Sequence, residues 1–341
     1  MTTPTLPKQR NLTLDICKFV AACFVVFIHA PFPGAAGEYI LCLARFAVPM
    51  FFAVSGWYSY GVSSRKILSR LCHVLLLELA GIAIVQLWTA FAAFYMGRDV
   101  LRALCPALPS GRDWMTWLVW LEDPLESHLW YLSASAFCYG VFWLYTLGPG
   151  GRKDYRGLYA LGFVLLCANM AMGELSRYSG LTVSFKVPRS GLFLGLPMFS
   201  LGLFLREHRE TLLSRLGMGL LPVVPVFGFL LTIVEWKCFG SHSLYLGHFF
   251  VLAGLLLLTF RYPGVPRSLE KAAVLCGPVS TVVYLVHLTL CDVYLGFFQW
   301  RLEGLLGSAE AWIRPLLVLG ASIMAAWCWL ALVRLCKRFR K

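Results

Sequence analysis

Residues 12–30 read LTLDICKFVAACFVVFIHA, an apolar stretch interrupted by Asp15, Lys18 and His29. As a helix this stretch is about 28 Å long, close to the ~30 Å hydrocarbon core of a bilayer. Each charged side chain costs roughly 2.5–3.5 kcal/mol near the centre of a membrane helix on insertion scales. Such side chains are retained where they face a bundle interior or a water-filled cavity. The stretch therefore predicts a membrane helix that carries part of a functional site.

The rest of the chain is also apolar. Of its 341 residues, 59% are hydrophobic and 14% are charged, against about 25% charged in a typical soluble domain. The apolar runs predict an all-α, polytopic membrane bundle of about ten transmembrane helices, with residues 1–341 forming a single integral-membrane domain. The predicted spans are 12–31, 39–60, 71–96, 128–147, 157–173, 190–205, 216–234, 243–260, 272–298 and 312–335.

The positive charges alternate from loop to loop. Nineteen Lys and Arg residues fall in the terminal segments and the even-numbered loops, and nine fall in the odd-numbered loops. The positive-inside rule then places both termini in the cytoplasm. The net charge of +13 is explained by this topology and by the anionic headgroups of the lipid bilayer. We therefore expect no nucleic-acid partner.

The twelve cysteines are scattered along the chain. They include no C-x-x-C pair and no spacing typical of metal ligands, so we expect them to fill space between helices and we expect no metal. Cys105 and Cys238 both fall in predicted outer loops, and their spacing leaves open whether they pair.

The first predicted helix places its polar side chains on one face. Lys18 and His29 are eleven residues apart, which nearly completes three helical turns and separates them by ~16 Å along the axis. Asp15, three residues before Lys18, shares that face. This arrangement puts a basic group near the cytoplasm and an imidazole near the outer side. Two structural alternatives stay open: an ordinary Asp15–Lys18 ion pair, and a histidine that only packs.

Other ionisable residues interrupt later spans. Arg45 stands before the sequence FAVPMFFAVSGW, and its permanent charge requires a partner or water, for which Glu38 and Asp292 are the expected acids. Glu78 is expected to be a buried structural acid.

In the ninth span, Tyr284, His287 and Cys291 share one helix face. His287 is expected to serve either the site or helix packing.

The longest predicted outer segment, 97–127, carries Trp114, Trp117 and Trp120 at every third position. Such a face is typical of an interfacial aromatic anchor, and a stacking surface for a sugar is the alternative.

At five landmarks the chain resembles the integral-membrane acyltransferase 3 family, in its shorter polysaccharide-acetylating branch. The landmarks are D-x-x-K-x10-H at 15–29, RFAVPMFFAVSGW at 45–57, HLWYL at 128–132, GLFLGLPMFSLG at 191–202 and STVVYLVH at 280–287. They stand in the family's order from the first predicted span to the ninth, so the resemblance covers nearly the whole chain.

The resemblance implies an enzyme of the bacterial cytoplasmic membrane with a ten-helix core. It would move an acetyl or other short acyl group from cytoplasmic acetyl-CoA, or another acyl-CoA, to a hydroxyl of a cell-envelope glycan or lipid-linked sugar. Polysaccharide-synthesis machinery would be its partner. His29 would be the catalytic histidine, acting as general base or as acceptor of the acyl group, since imidazole exchanges protons near neutral pH. Lys18 and Asp15 occupy the remaining motif positions.

Further site residues follow from the same resemblance. Arg45, Trp130, Tyr131 and His287 are expected to orient the acceptor or the thioester. Arg65, Lys66 and Arg70 are a loose equivalent of the Arg-x-Arg pair that holds CoA phosphates in many members. The sequence after Trp130 is YLSAS, so the acid that many members carry there is missing.

Two other functions stay open. The chain also resembles the membrane part of vancomycin-resistance serine racemases, which is associated with serine export. A transporter of a small polar solute such as serine would use the same buried polar residues. A structural partner of a polysaccharide machine is the third possibility.

Overall fold

The computed structural model describes residues 10–104, 129–148, 154–175 and 187–339. Throughout these ranges every regular element is helical, which confirms the all-α class. Trp114, Trp117, Trp120, Cys105 and His128 lie outside the described residues. The α-helices are α1 (Leu12–His29), α2 (Gly34–Ala44), α3 (Ala47–Ser59), α4 (Ser64–Tyr95), α5 (Val100–Leu104), α6 (Trp130–Leu147), α7 (Arg156–Met170), α8 (Leu196–Leu220), α9 (Val223–Phe239), α10 (Leu246–Arg261), α11 (Arg267–Val293), α12 (Gln299–Leu306) and α13 (Glu310–Phe339).

The predicted second span, 39–60, consists of two helices rather than one. α2 ends at Ala44, and α3 begins at Ala47 after a break at Arg45 and Phe46. Pro49 lies in the first turn of α3, where its missing N–H has no acceptor to lose. The irregularity of this span therefore lies at Arg45 and Phe46, before Pro49.

Small residues let the helices approach closely. A Cβ on Gly56 of α3 would lie 1.9 Å from the Phe199 carbonyl oxygen of α8, and a Cβ on Gly202 of α8 would lie 1.9 Å from the Ala53 carbonyl oxygen. Neither position accepts a side chain without separating the two helices. This packing holds α3 beside α8 in the centre of the bundle.

The apolar surface is distributed as a membrane protein requires. Phe52, Phe142 and Phe199 are fully buried in the main core. By contrast, large apolar side chains such as Leu87 and Phe94 on α4 are exposed. In water such a surface would be unfavourable, whereas in a bilayer it contacts lipid tails.

By length and composition, five helical stretches of the described residues could cross a bilayer, or six if α8 and α9, bent by 84°, are counted as one broken span. One of the five, Arg267–Arg338, is 72 residues long and contains both α11 and α13. These findings support a multi-pass membrane protein. The number of ten spans and the cytoplasmic position of the termini stay predictions.

Labelling with an impermeant maleimide tests the predicted sidedness. Ser308, before α13, and Ser63, before α4, are both exposed, and the charge bias puts Ser308 outside and Ser63 inside. In a cysteine-free background, Ser308→Cys should react in intact cells, whereas Ser63→Cys should react only after permeabilisation. The neighbouring Ser64 is buried, so a cysteine at that position would react poorly with maleimide on either side of the membrane. The reverse labelling pattern would invert the topology.

Candidate active site

The Asp15 carboxylate joins two cations at the start of α1. Lys18 Nζ lies 2.6 Å from Asp15 Oδ1, and Arg10 Nε lies 2.5 Å from Asp15 Oδ2. Arg10 also donates to the Val274 carbonyl oxygen of α11 at 2.8 Å. The structure thus contains the Asp15–Lys18 ion pair that the sequence left open as a structural alternative. It adds Arg10, which sequence reasoning missed because its contacts depend on α11.

Two cavities adjoin this ion cluster. The mouth cavity, of about 550 Å³, is bordered by Arg10, Asn11, Asp15, Lys18, Tyr58, Gly277, Pro278 and Thr281. The inner cavity, of about 170 Å³, is lined by Lys18, Phe51, Ser55, Val74, Leu77, Tyr131, Leu132, Ser135, Tyr139, Gly277, Ser280, Thr281 and Tyr284. Because both share Lys18, Gly277 and Thr281, they form successive parts of one recess that begins at the Lys18 end of α1.

Two histidines meet near the other end of α1. The ring centroids of His29 and His287 are 5.1 Å apart. His29 is exposed, whereas His287 is 1% exposed. Nδ1 of His287 lies 2.7 Å from the Tyr284 carbonyl oxygen and 3.2 Å from that of Val283. Since carbonyl oxygens only accept, Nδ1 carries a proton in this arrangement.

Aromatic rings connect the histidines to the recess. The Tyr284 ring lies 5.8 Å from the His287 ring and 5.4 Å from the Tyr131 ring, and both tyrosines line the inner cavity. Tyr284, His287 and Cys291 are all buried, which confirms their shared face. Trp130 packs on Phe52 at 6.3 Å and is not among the residues that line the two cavities. The structure therefore brings Tyr131 and His287 to one site and leaves Trp130 beside it.

A buried acid adjoins the same region from α4. The Ser133 hydroxyl of α6 donates a short hydrogen bond to Glu78 Oε1, and both side chains are buried. Ser133 stands three residues after Trp130, in the part of α6 that has no acid of its own. Glu78 thus supplies a carboxylate there from a neighbouring helix. The sequence indicated that Glu78 is buried, but spacing within α6 could not show this contact.

Arg45 belongs to a separate polar group. Its Nη1 donates to the His242 carbonyl oxygen at 2.6 Å, and its Nη2 donates to Ser241 Oγ at 2.8 Å. Neither Glu38 nor Asp292 pairs with it among the described residues, so the expected acid partners were wrong. The break between α2 and α3 directs Arg45 to the loop between α9 and α10, away from both acids.

The three basic residues assigned to CoA occupy different surroundings. Arg65 and Lys66 are exposed at the start of α4. Arg70 donates to the Tyr58 carbonyl oxygen at 2.9 Å and to Ser59 Oγ at 3.1 Å. Tyr58 borders the mouth cavity. Of the three described basic residues, Arg70 is therefore the one that contacts the rim of the mouth cavity directly.

Within the described ranges, no group of three or more His, Cys, Asp or Glu side chains is placed to hold a metal ion. The described cysteines are free thiols, and Cys238 is exposed.

The all-helical bundle of the described residues, with large apolar side chains on its surface, supports a multi-pass membrane protein. The histidine pair and the recess form its candidate site. Residues 11–334 match the family model described as an acyltransferase domain. The chain therefore belongs to the acyltransferase 3 family, which confirms the resemblance drawn from the five landmarks. Searches of curated proteins and of solved structures found no match.

Asp15→Asn should destabilise the protein by about 1–3 kcal/mol, because it leaves Arg10 and Lys18 close together without their shared carboxylate. Adding Lys18→Met should restore part of the loss, and both changes can be read from thermal unfolding in detergent. Asp154→Asn is the matched control, since its ion pair with Arg156 is highly exposed. Equal unfolding temperatures for all variants would contradict the assigned role of Asp15.

Proposed function

We propose that this protein is a membrane O-acyltransferase that uses acetyl-CoA, or another short acyl-CoA, as donor and a cell-envelope glycan or lipid-linked sugar as acceptor. One observation carries the proposal. The mouth cavity adjoins the inner cavity, Tyr284 lines the inner cavity and contacts His287, and His287 contacts His29. Family membership supports the acyl-transfer chemistry. A bacterial cytoplasmic-membrane location, and partners in polysaccharide synthesis, belong to the same proposal.

The donor enters at the basic end of the recess. Arg10 and Lys18 border the mouth cavity, and Arg70 binds its rim through Tyr58. Guanidinium and ammonium groups recognise phosphates by charge-assisted hydrogen bonds. A CoA held there by its phosphates would extend its acyl arm along the inner cavity toward Tyr284.

His29 acts on the acceptor hydroxyl. It takes the hydroxyl proton as the oxygen attacks the thioester carbonyl carbon. The carbon–sulfur bond then breaks, and the CoA thiolate receives the proton from the imidazolium, so that the products are an ester and free CoA. His287 is placed to orient His29, because its Nδ1–H is fixed to backbone carbonyls while its ring lies 5.1 Å from the His29 ring.

The acceptor approaches from the outer side, where the exposed His29 ring is accessible. Tyr131 and His287 would orient the reacting groups near the inner cavity, and Trp130 and Arg45 would contact more distant parts of the acceptor. The overall reaction is tested by acetyl-CoA turnover with purified protein in nanodiscs, with and without envelope glycans.

One observation favours a transporter as the second candidate. Ser55, Ser135 and Ser280 are among the residues that line the inner cavity, and such a lining would suit a small polar solute such as serine. Uptake of radiolabelled serine into proteoliposomes, with no thioester turnover, would favour transport over acyl transfer.

His29→Ala should reduce acyl transfer by about 100-fold to 10,000-fold, the usual contribution of general acid–base catalysis. The measurement is acceptor-dependent release of CoA thiol. His73→Ala is the control, because His73 is exposed on α4 and should retain wild-type turnover. Activity of His29→Ala within a few-fold of wild type would rule out the proposed base.

Reversing the charge of Arg65, Lys66 and Arg70 should weaken acetyl-CoA binding by about tenfold, since charge-assisted hydrogen bonds are worth ~1.5–3 kcal/mol. Arg70→Glu should carry most of the effect because it alone contacts the cavity rim. The loss should shrink at high salt, which screens exposed charges. Lys337→Glu with Arg338→Glu, exposed residues near the end of α13, is the control, and unchanged affinity in Arg70→Glu would move the phosphate site elsewhere.

A further inference from the structure

Two arginines of α8 pack on the same aromatic ring. The guanidinium carbon of Arg206 lies 5.3 Å from the centroid of the Phe260 ring of α10, and that of Arg209 lies 5.1 Å from it. Arg209 Nη1 also donates to the Arg206 carbonyl oxygen at 2.8 Å. Neither arginine is among the residues that line the mouth cavity or the inner cavity. We call Arg206 and Arg209 the α8 arginines.

Arg206 contacts a second ring as well. Its guanidinium carbon lies 5.4 Å from the centroid of the buried Trp57 ring of α3. Close helix packing explains this contact, because a Cβ on Gly202, one turn before Arg206, would lie 2.8 Å from the Trp57 backbone nitrogen. Cation–π attraction to two rings restricts the guanidinium plane. The N–H groups of Arg206 are therefore held in a limited set of directions.

The nearby acids of α8 have other partners. The Tyr159 hydroxyl donates a short hydrogen bond to Glu207 Oε2, and Glu210 Oε1 lies 3.3 Å from Arg209 Nε. Within the described ranges, the Arg206 side chain forms neither a hydrogen bond nor an ion pair, and it is partly exposed. Its contacts are with the two rings. A guanidinium has five N–H donors, so Arg206 can bind an anion without first breaking an ion pair.

The predicted topology puts the α8 arginines beside a source of phosphate. Arg215 later on α8 and Arg261 and Arg267 after α10 belong to the predicted cytoplasmic side. Anionic phospholipids make the surface of that leaflet negative. Trp57 also directly precedes Tyr58, which borders the mouth cavity. Both a lipid headgroup and a soluble phosphate compound at the mouth would thus be near Arg206.

We propose that the α8 arginines bind a phosphate group, with Arg206 as its main ligand. The phosphate belongs either to the headgroup of an anionic phospholipid or to the acyl-CoA. Hydrogen bonds from guanidinium to phosphate are charge-assisted and often bidentate. Arg206 supplies oriented donors without a competing acid, and Arg209 adds a second positive charge. The lipid source is independent of the proposed acyl transfer, whereas the CoA source rests on it.

Two sets of probes test the site on the full chain in detergent. Native mass spectrometry compares short-chain phosphatidylglycerol with the diacylglycerol of the same chains, which lacks the phosphate. Equilibrium dialysis compares CoA with adenosine and pantetheine, the parts of CoA without phosphate. Arg206→Gln should weaken binding of at least one phosphate probe by about tenfold and leave the phosphate-free probes unchanged. The phosphate probe that weakens identifies the source.

Variants of other arginines provide the controls. Arg215→Gln, at an exposed position of the same helix, should retain every wild-type affinity. Arg209→Gln should weaken phosphate binding less than Arg206→Gln does, because Arg209 is already paired with Glu210. Arg206→Lys retains the charge but loses the planar fork, so its affinity should lie between those of wild type and Arg206→Gln. A lower unfolding temperature of Arg206→Gln with unchanged phosphate affinities would show a structural role alone and overturn the proposal.

Glu210→Gln keeps the proposal testable if Arg206→Gln fails to fold. The Glu210 side chain is 71% exposed, and its neutralisation releases Arg209, so phosphate binding should strengthen by about twofold. Glu270→Gln makes the same change in net charge at an exposed position of α11 and should have no effect.

Two results would overturn the phosphate site. One is phosphate affinity that Glu210→Gln leaves unchanged or lowers. The other is equal wild-type affinity for the phosphate-bearing and phosphate-free probes in both sets. Acetyl-CoA turnover, measured separately, would in that case leave the proposed acyl transfer standing, whereas absence of turnover on any acceptor would refute acyl transfer and not a lipid site.

Discussion

The contact between Asp15 of α1 and Gly277 of α11 is the constraint on which the site depends. A Cβ on Gly277 would lie 2.9 Å from Asp15 Oδ1 and 3.0 Å from Arg10 Nη2, so a larger residue at this crossing would displace the side chains of the ion cluster. The buried Asp15 carboxylate in turn pairs with both Arg10 and Lys18. With α1 held beside α11 at this end, His29 and His287 meet further along the same two helices.

Breaks in the helices give the bundle its polar interior. In a membrane, irregular backbone persists only where protein or a watery cavity satisfies its polar groups. The break at Arg45 and Phe46 places a guanidinium against the loop between α9 and α10. The π-helical turn Gly191–Gly195 similarly follows the segment that carries Arg189. Arg45 therefore comes from irregular backbone rather than from the interior of a helix.

The cations of the described residues fall into separate places. Arg10 and Lys18 border the mouth cavity, and Arg70 contacts its rim through the Tyr58 carbonyl oxygen. Arg45 instead binds the loop between α9 and α10. In the core, the Phe52 ring packs on the Tyr131 ring, which lines the inner cavity.

The sequence alone determined the all-helical membrane class, the family and the helix faces of Lys18, His29 and His287. These properties follow from composition, from the order of the motifs and from a helical period that repeats along one chain. Tertiary structure decided the contacts between helices: Arg10 with Asp15, His29 with His287, and Glu78 with Ser133. It also decided that Arg45 binds Ser241 and a backbone carbonyl oxygen, and not the acids expected from the sequence. The physical reason is that a helical period fixes which side of a helix a residue occupies, whereas the partner across the interface depends on close packing at glycines and on breaks between helices.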